Sequence, residues 1–421
     1  MIFHRLPSRR VAPAICLVVG LGATARADVI ADWNARAEAI ATEKKLLPPP
    51  NARGMAILHV AMFEAINAID RKYEPYKLKL SVPITVSREA AAAASAHAVL
   101  VALHPDQQSS LDAFLSSSLA GVAEGEAKSN GIALGKQAAA GILTLRNNDG
   151  TIATETYRPH TVPGSYVPTT IPFGSTFGHV TPWAMSSGSQ FRPDPPPPLS
   201  SQIWIDDLNE VREMGARDSK KRTAEQTDIG RFWFVIGPAA WNPIVRQLVV
   251  AKRLDLVDSA RVFALVAMAT CDSFIAVFDA KYFYNFWRPI TAVRNADPAG
   301  NKGTPREASW LPLGDTPLHP EYPCAHCITS AAAASILIGV MGNEIPEVTM
   351  TSPTAPGVTR KWTRLQDYAA EVGMARIYAG FHYGFSNKVG QGMGRKIGEL
   401  TMAMHLRAVA ASNGARNRQH Q

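Results

Sequence analysis

Lys281-Tyr-Phe-Tyr-Asn-Phe-Trp-Arg288-Pro289 closes a helically patterned stretch over residues 260–287. Phe278, Phe283, Phe286 and Trp287 make this stretch apolar enough to be largely buried. Lys281 and Arg288 lie seven residues apart, about two turns of α-helix, so the spacing predicts one shared face, with Pro289 ending or kinking the helix. A buried helix bearing two cations needs an anion, because unpaired charge is costly away from water. The bland alternative, two solvated cations on a surface helix, conflicts with the flanking aromatics.

Two further fragments extend the pattern. Pro323-Cys324-Ala325-His326 precedes an alanine-rich helix over 326–342. Small residues there let backbone N–H groups approach an oxyanion, and a helix N-terminus favours negative charge. His326 is placed to move a proton. Arg376 and His382 stand six apart, which is not one face of a helix. A helix over 361–381 is therefore expected to end near Gly380 and let His382 turn inward. Three cations, two imidazoles and a small-residue turn suit a tetrahedral oxyanion that becomes trigonal bipyramidal.

In this order and spacing the fragments resemble the vanadium-dependent haloperoxidases, which share a superfamily with bacterial acid phosphatases and type 2 phosphatidic acid phosphatases. The family pattern is Lys seven residues before Arg-Pro, then Pro-Ser-Gly-His, then Arg six residues before His. Here the middle fragment departs at Cys324 and Ala325. Ile30-Ala-Asp-Trp-Asn34, His59-Val-Ala-Met-Phe-Glu-Ala-Ile-Asn67 and Ser189-Gln-Phe-Arg-Pro193 carry the resemblance over most of the chain. It implies vanadate cradled by Lys281, Arg288, Arg376 and the Cys324–Ala325 turn. His382 would bind the metal, or attack phosphorus in a phosphatase, and His326 would be the acid/base. The family's orienting Asp, four residues after the metal-binding His, is Ser386 here. His319, seven residues before His326, is at the position where bromide-oxidising members carry His and chloride-oxidising ones an aromatic; Phe278 matches the chloride type.

The expected function is therefore halide oxidation by hydrogen peroxide, bromide rather than chloride, with vanadate as cofactor and an organic acceptor. The alternatives are an acid phosphatase acting on phosphate esters through His382, and a catalytically drifted or thiol-redox protein. The last is motivated by Cys324-x-x-Cys327. That pair lacks the following His of a haem site and the second pair of a zinc site. Cations beside a free Cys324 thiol are expected to lower its pKa.

Outward from the site, alanine-rich amphipathic segments dominate and strand signals are sparse. Residues 55–70, 88–103, 108–146, 201–220, 223–235, 243–258 and 388–411 read as helices. Residues 149–200 hold ten of the 30 prolines and read as a long irregular connection. The fold expected is all-α: two packed helical bundles, 28–148 and 201–410, joined by that connection, with a polar tail over 411–421. Arg5, Arg9 and Arg10, an apolar run to Ala23 and Ala25-Arg26-Ala27 read as a cleavable export signal over 1–27. A secreted or periplasmic protein free of the membrane is expected, with homo-oligomerisation left open. Past residue 27 the charge is 39 basic against 35 acidic residues, too mild for nucleic acid, and no basic run is interleaved with aromatics. His59 and Glu64 are five apart and do not share a helical face, so both read as core residues.

Overall fold

The computed structural model describes residues 28–296 and 303–409. The export signal and the polar tail of the sequence reading lie outside them. The described chain is mostly helical: α1 (Val29–Glu43), α2 (Pro48–Asp70), α3 (Arg88–Leu103), α4 (Gln108–Leu119), α5 (Glu126–Leu145), α6 (Gln202–Met214), α7 (Ala224–Phe232), α8 (Pro238–Ala251), α9 (Leu256–Tyr284), α10 (Pro289–Arg294), α11 (Ala325–Met341), α12 (Leu365–Tyr378) and α13 (Gly384–Met404). The helix expected over 108–146 is two, α4 and α5, parted by a turn.

α2, α3 and α5 form one bundle, and α9, α11, α12 and α13 the other. α2 packs on α9, and one apolar core runs from Ile30 to Leu406 through both. α2 and α9 are long and apolar enough to cross a bilayer by length and composition, but both are largely buried inside the protein. α11 carries Ala331 to Ala334, and α13 approaches it closely. A Cβ on Gly394 would stand 2.2 Å from the Ile328 carbonyl oxygen, so this contact requires glycine. One turn earlier, a Cβ on Gly390 would stand 2.7 Å from the Cys324 carbonyl oxygen, so α13 also packs on the N-terminus of α11, where the Pro323–His326 fragment sits.

A β-hairpin, β1 (Glu344–Ser352) with β2 (Ala355–Arg364), was not read from the sequence. It takes residues 361–364 from the expected helix. Ile345, Val348, Met350 and Trp362 turn inward from it, while most other positions are exposed.

The proline-rich connection is pinned to α9. The buried Asp272 carboxylate accepts the main-chain N–H groups of Trp183, Ala184 and Met185 at 2.7–3.1 Å. Arg192 forks onto Asp279, both bonds 2.8 Å. Tyr282 donates to the Phe173 carbonyl at 2.6 Å, and Phe173 packs on Phe278. The connection therefore covers the end of α9 that carries Lys281. His59 and Glu64 are core residues: His59 lies 2.8 Å from Asn34 and stacks on Phe263, and Glu64 accepts from Lys77 and Leu78 N–H.

Candidate active site

Lys281 lies in the last turn of α9, which stops at Asn285 in the left-handed conformation, φ 47°. Arg288 is outside that helix, at the N-cap of α10, with Pro289 starting the new helix. The expected shared helical face does not exist. An αL cap reverses the chain, and the two cations meet through the loop before α11 instead. Three successive carbonyls of that loop hold them. His319 O accepts from Arg288 Nε at 2.8 Å, and Lys281 Nζ donates to Pro320 O at 2.9 Å and to Glu321 O at 2.5 Å.

α12 ends at Tyr378, and Gly380, at φ 77°, turns the chain so that His382 points back into the core. This is the break expected from the Arg376–His382 spacing. Arg288 Nη1 lies 3.2 Å from His382 Nε2 and donates to Phe381 O at 3.1 Å. A guanidinium has donors alone, so Nε2 accepts and the ring proton sits on Nδ1. Nδ1 donates to Glu321 Oε1 at 2.6 Å. The same logic makes His319 Nδ1 an acceptor from Arg288 Nη2 at 2.9 Å. Arg376 donates to Trp233 O at 2.7 Å and lies 4.9 Å over the Phe381 ring, while its Nε has no partner.

Glu321, in contact with His382, is the residue of this cluster that the sequence did not point to. It is fully buried, and the Ser386 side chain lies against its carboxylate. Ser386, considered for this orienting task, is buried and makes no hydrogen bond to His382. No spacing rule reveals an acid 61 residues before its histidine. The one available signal was an acidic residue in an otherwise uncharged stretch between His319 and His326.

Cys324 and Cys327 are joined as a disulfide at the start of α11. Cys324 is the N-cap, its sulfur 3.2 Å from the Cys327 N–H. The expected free thiol of lowered pKa is therefore replaced by a group that neither titrates nor donates. Both cysteines are fully buried, which shields the bond from external thiols and leaves the thiol-redox reading without an accessible group. Ala325 opens α11, and its main chain takes part in the helix N-terminus. The Phe234 main-chain carbonyl accepts from the His326 ring, and His326 Nε2 is buried without a partner.

Lys281, Arg288 and Arg376 are each at most 1% exposed, and Glu321 is the one carboxylate in hydrogen-bond contact with the cluster among the described residues. Burial pushes the Lys281 ammonium well down, helped by Arg288. Burial and Arg288 do the same to Arg376. Burial also drives His319, His326 and His382 well below the usual imidazole range, with the neighbouring cations adding to it, so all three rings are neutral. The Glu321 carboxyl is raised to about 7, burial outweighing the pull of Lys281 and Arg288. Positive charge is in excess in a buried site, and unpartnered polar atoms on Arg376 and His326 border it. This donor set fits a small multiply charged oxyanion, vanadate included. A cleft of about 500 Å³ lined by Arg192, Tyr322, Phe385 and Lys396 shares none of the cradle residues.

Residues 261–411 match the family model of the VCPO second helical-bundle domain. Over 131 residues the chain is 35% identical to vanadium chloroperoxidase of Curvularia inaequalis, covering 26% of this chain and 21% of that protein. The match thus spans about a fifth of that relative's length. Among solved structures, a bacterial vanadium-dependent iodoperoxidase superposes with a TM-score of 0.78 at 24% identity, covering 91% of this chain and 98% of that one. An apo bacterial vanadium-dependent chloroperoxidase superposes with a TM-score of 0.64 at 15% identity, covering 85% and 93%. These likenesses show the fold.

Proposed function

We propose that this chain, whose fold is that of the vanadium haloperoxidases and whose residues 261–411 belong to the VCPO second-bundle family, is a vanadate-dependent haloperoxidase that oxidises bromide in preference to chloride. The observation that carries the reading is the excess of buried positive charge around a neutral His382, with its Nε2 lone pair turned toward Arg288. Lys281, Arg288 and Arg376 would neutralise vanadate, the main chain at Ala325 would add a donor, and His382 Nε2 would bind the metal. When bound, vanadate supplies Lewis-acid activation of hydrogen peroxide toward halide attack.

The remaining chemistry belongs to the protein. His326, 8% exposed against 1% for His382, has a free Nε2, so it would take the proton that hydrogen peroxide loses on binding. The buried walls keep water from competing for the cations. His319 and Phe278 form the wall beside Arg288, and the histidine there supports bromide over chloride.

The test is reconstitution of purified protein with orthovanadate. Vanadium content, bromide, chloride and iodide oxidation, and phosphomonoester hydrolysis are then measured on one preparation. Stoichiometric vanadium with halide oxidation supports the reading. Phosphate-ester hydrolysis without halide oxidation replaces it with a phosphatase using His382 as nucleophile, for which the same cradle serves.

A further inference from the structure

We infer that Glu321 is the positioning residue that selects the His382 tautomer, and that position 321 ties the metal-binding imidazole to the Lys281 end of the cradle. The inference rests on the oxyanion-site reading above and adds to it a residue which that reading did not need.

Glu321 acts through two different groups. Its side-chain Oε1 accepts from His382 Nδ1 at 2.6 Å and from the Tyr383 N–H at 3.3 Å. Its main-chain oxygen accepts from Lys281 Nζ at 2.5 Å. Its own N–H donates to Phe286 O at 2.8 Å, which anchors the loop to the segment between Lys281 and Arg288. One fully buried residue thus touches α9's last turn, the α9–α10 junction and the α12–α13 turn.

The chemical consequence follows from the acceptor. An isolated neutral imidazole carries its proton on either nitrogen. An acceptor at Nδ1 fixes the proton there and leaves the Nε2 lone pair to the cradle, as a ligand or a nucleophile requires. Arg288 at Nε2 reinforces the same tautomer, because a guanidinium cannot accept. Without an acceptor at position 321, Nδ1–H would be a buried donor with no partner. The ring would then rotate or take up the other tautomer to escape that cost. Ser386 does not substitute, since it makes no hydrogen bond to the ring.

The experiment compares the full chain with Glu321→Leu, which removes the acceptor, and Glu321→Gln, which keeps an acceptor oxygen and removes the charge. Selective 15N-histidine labelling, with His382→Gln to assign the ring, reads the tautomer without any bound anion. Titration with orthovanadate reads affinity. Wild type is expected to show protonated Nδ1 and bare Nε2. Glu321→Leu should lose that tautomer and bind orthovanadate about 10- to 100-fold more weakly, the usual scale for removing a group behind a metal ligand. Glu321→Gln should keep the tautomer and most of the affinity.

A wild-type ring protonated at Nε2 would overturn the inference. So would a Glu321→Leu protein with the wild-type tautomer and affinity, or a Glu321→Gln protein as weak as Glu321→Leu. Should Glu321→Leu fail to fold, the wild-type and Glu321→Gln tautomers still decide it. If wild type has the expected tautomer but takes up no orthovanadate, the positioning stands and the haloperoxidase reading falls.

Discussion

His319 and Phe278 pack edge to face with ring centroids 5.3 Å apart, and the same His319 accepts from Arg288 Nη2 at 2.9 Å. An aromatic wall and a cradle cation are thereby coupled through one imidazole. His319→Phe removes the acceptor and extends the aromatic wall. The expected result is a shift of about tenfold in the bromide-to-chloride ratio of kcat/KM toward chloride, about 1.4 kcal/mol of differential binding. An unchanged ratio removes His319 from halide selection.

Vanadate and phosphate should compete for one site, because one set of cations must serve both. Arg288→Ala and Arg376→Ala should each weaken both anions, with losses of about 1.5–3 kcal/mol for a charged hydrogen bond. Competition calorimetry on the purified variants checks this. Survival of tight vanadate binding in both proteins contradicts the cradle.

The proposed reading gives His326 and His382 different tasks. His382→Ala should abolish activity and reduce vanadate uptake. His326→Ala should leave anion binding nearly intact and slow turnover by roughly 10²–10⁴, the scale of a general acid–base group. Vanadate titration and steady-state rates on the same samples separate the two. Equal loss of affinity in both variants rejects the assignment.

The Cys324–Cys327 bond closes a loop of four residues. Chain entropy for so short a loop gives about 2 kcal/mol of stabilisation. Cys324→Ser with Cys327→Ala should lose about that amount in denaturant unfolding, partly offset because serine is a good N-cap. The new hydroxyl also offers the oxyanion a donor that a disulfide sulfur lacks, so orthovanadate affinity should rise. Weaker binding in that variant would count against Cys324 as part of the cradle. Mass spectrometry of the peptide spanning 321–330 checks the bond in wild type.

Stability should fall with acid through His59. Burial first, then Arg246, holds this histidine down to about 3, against about 6.5 when unfolded. The native ring has Asn34 and Phe263 around it, and Arg246, paired with Glu38, lies against Asn34. The folded value lies below the unfolded one, so the unfolded chain takes up a proton that the native state refuses. The contribution is complete above pH 6.5 and is lost as pH falls toward 3, by up to about 1.4 kcal/mol per pH unit. Denaturant titrations at pH 7, 5.5 and 4 should show His59→Gln with a shallower decline than wild type. Parallel declines would show that other groups carry the acid sensitivity.

Sequence alone determined what depends on neighbours along the chain. The apolar run of α9, the small residues opening α11, and the Arg376–Gly380–His382 break are local: periodicity, helix propensity and the φ freedom of glycine decide them. The mostly helical fold was legible for that reason. Tertiary structure decided the rest. Lys281 and Arg288 meet because Asn285 ends α9 with positive φ and three carbonyls of 319–321 gather both, not because a helix aligns them. Glu321 reaches His382 across 61 residues, and α13 packs against the Cys324–Cys327 turn at Gly390, where a Cβ would stand 2.7 Å from the Cys324 carbonyl oxygen. The hairpin over 344–364 forms because alternate side chains find a core to bury against, which a weak local strand signal does not reveal. Local rules fix where the backbone bends. Only packing fixes which buried charge, donor and acceptor come within 3 Å of one another, because a group withdrawn from water takes whatever partner the fold supplies.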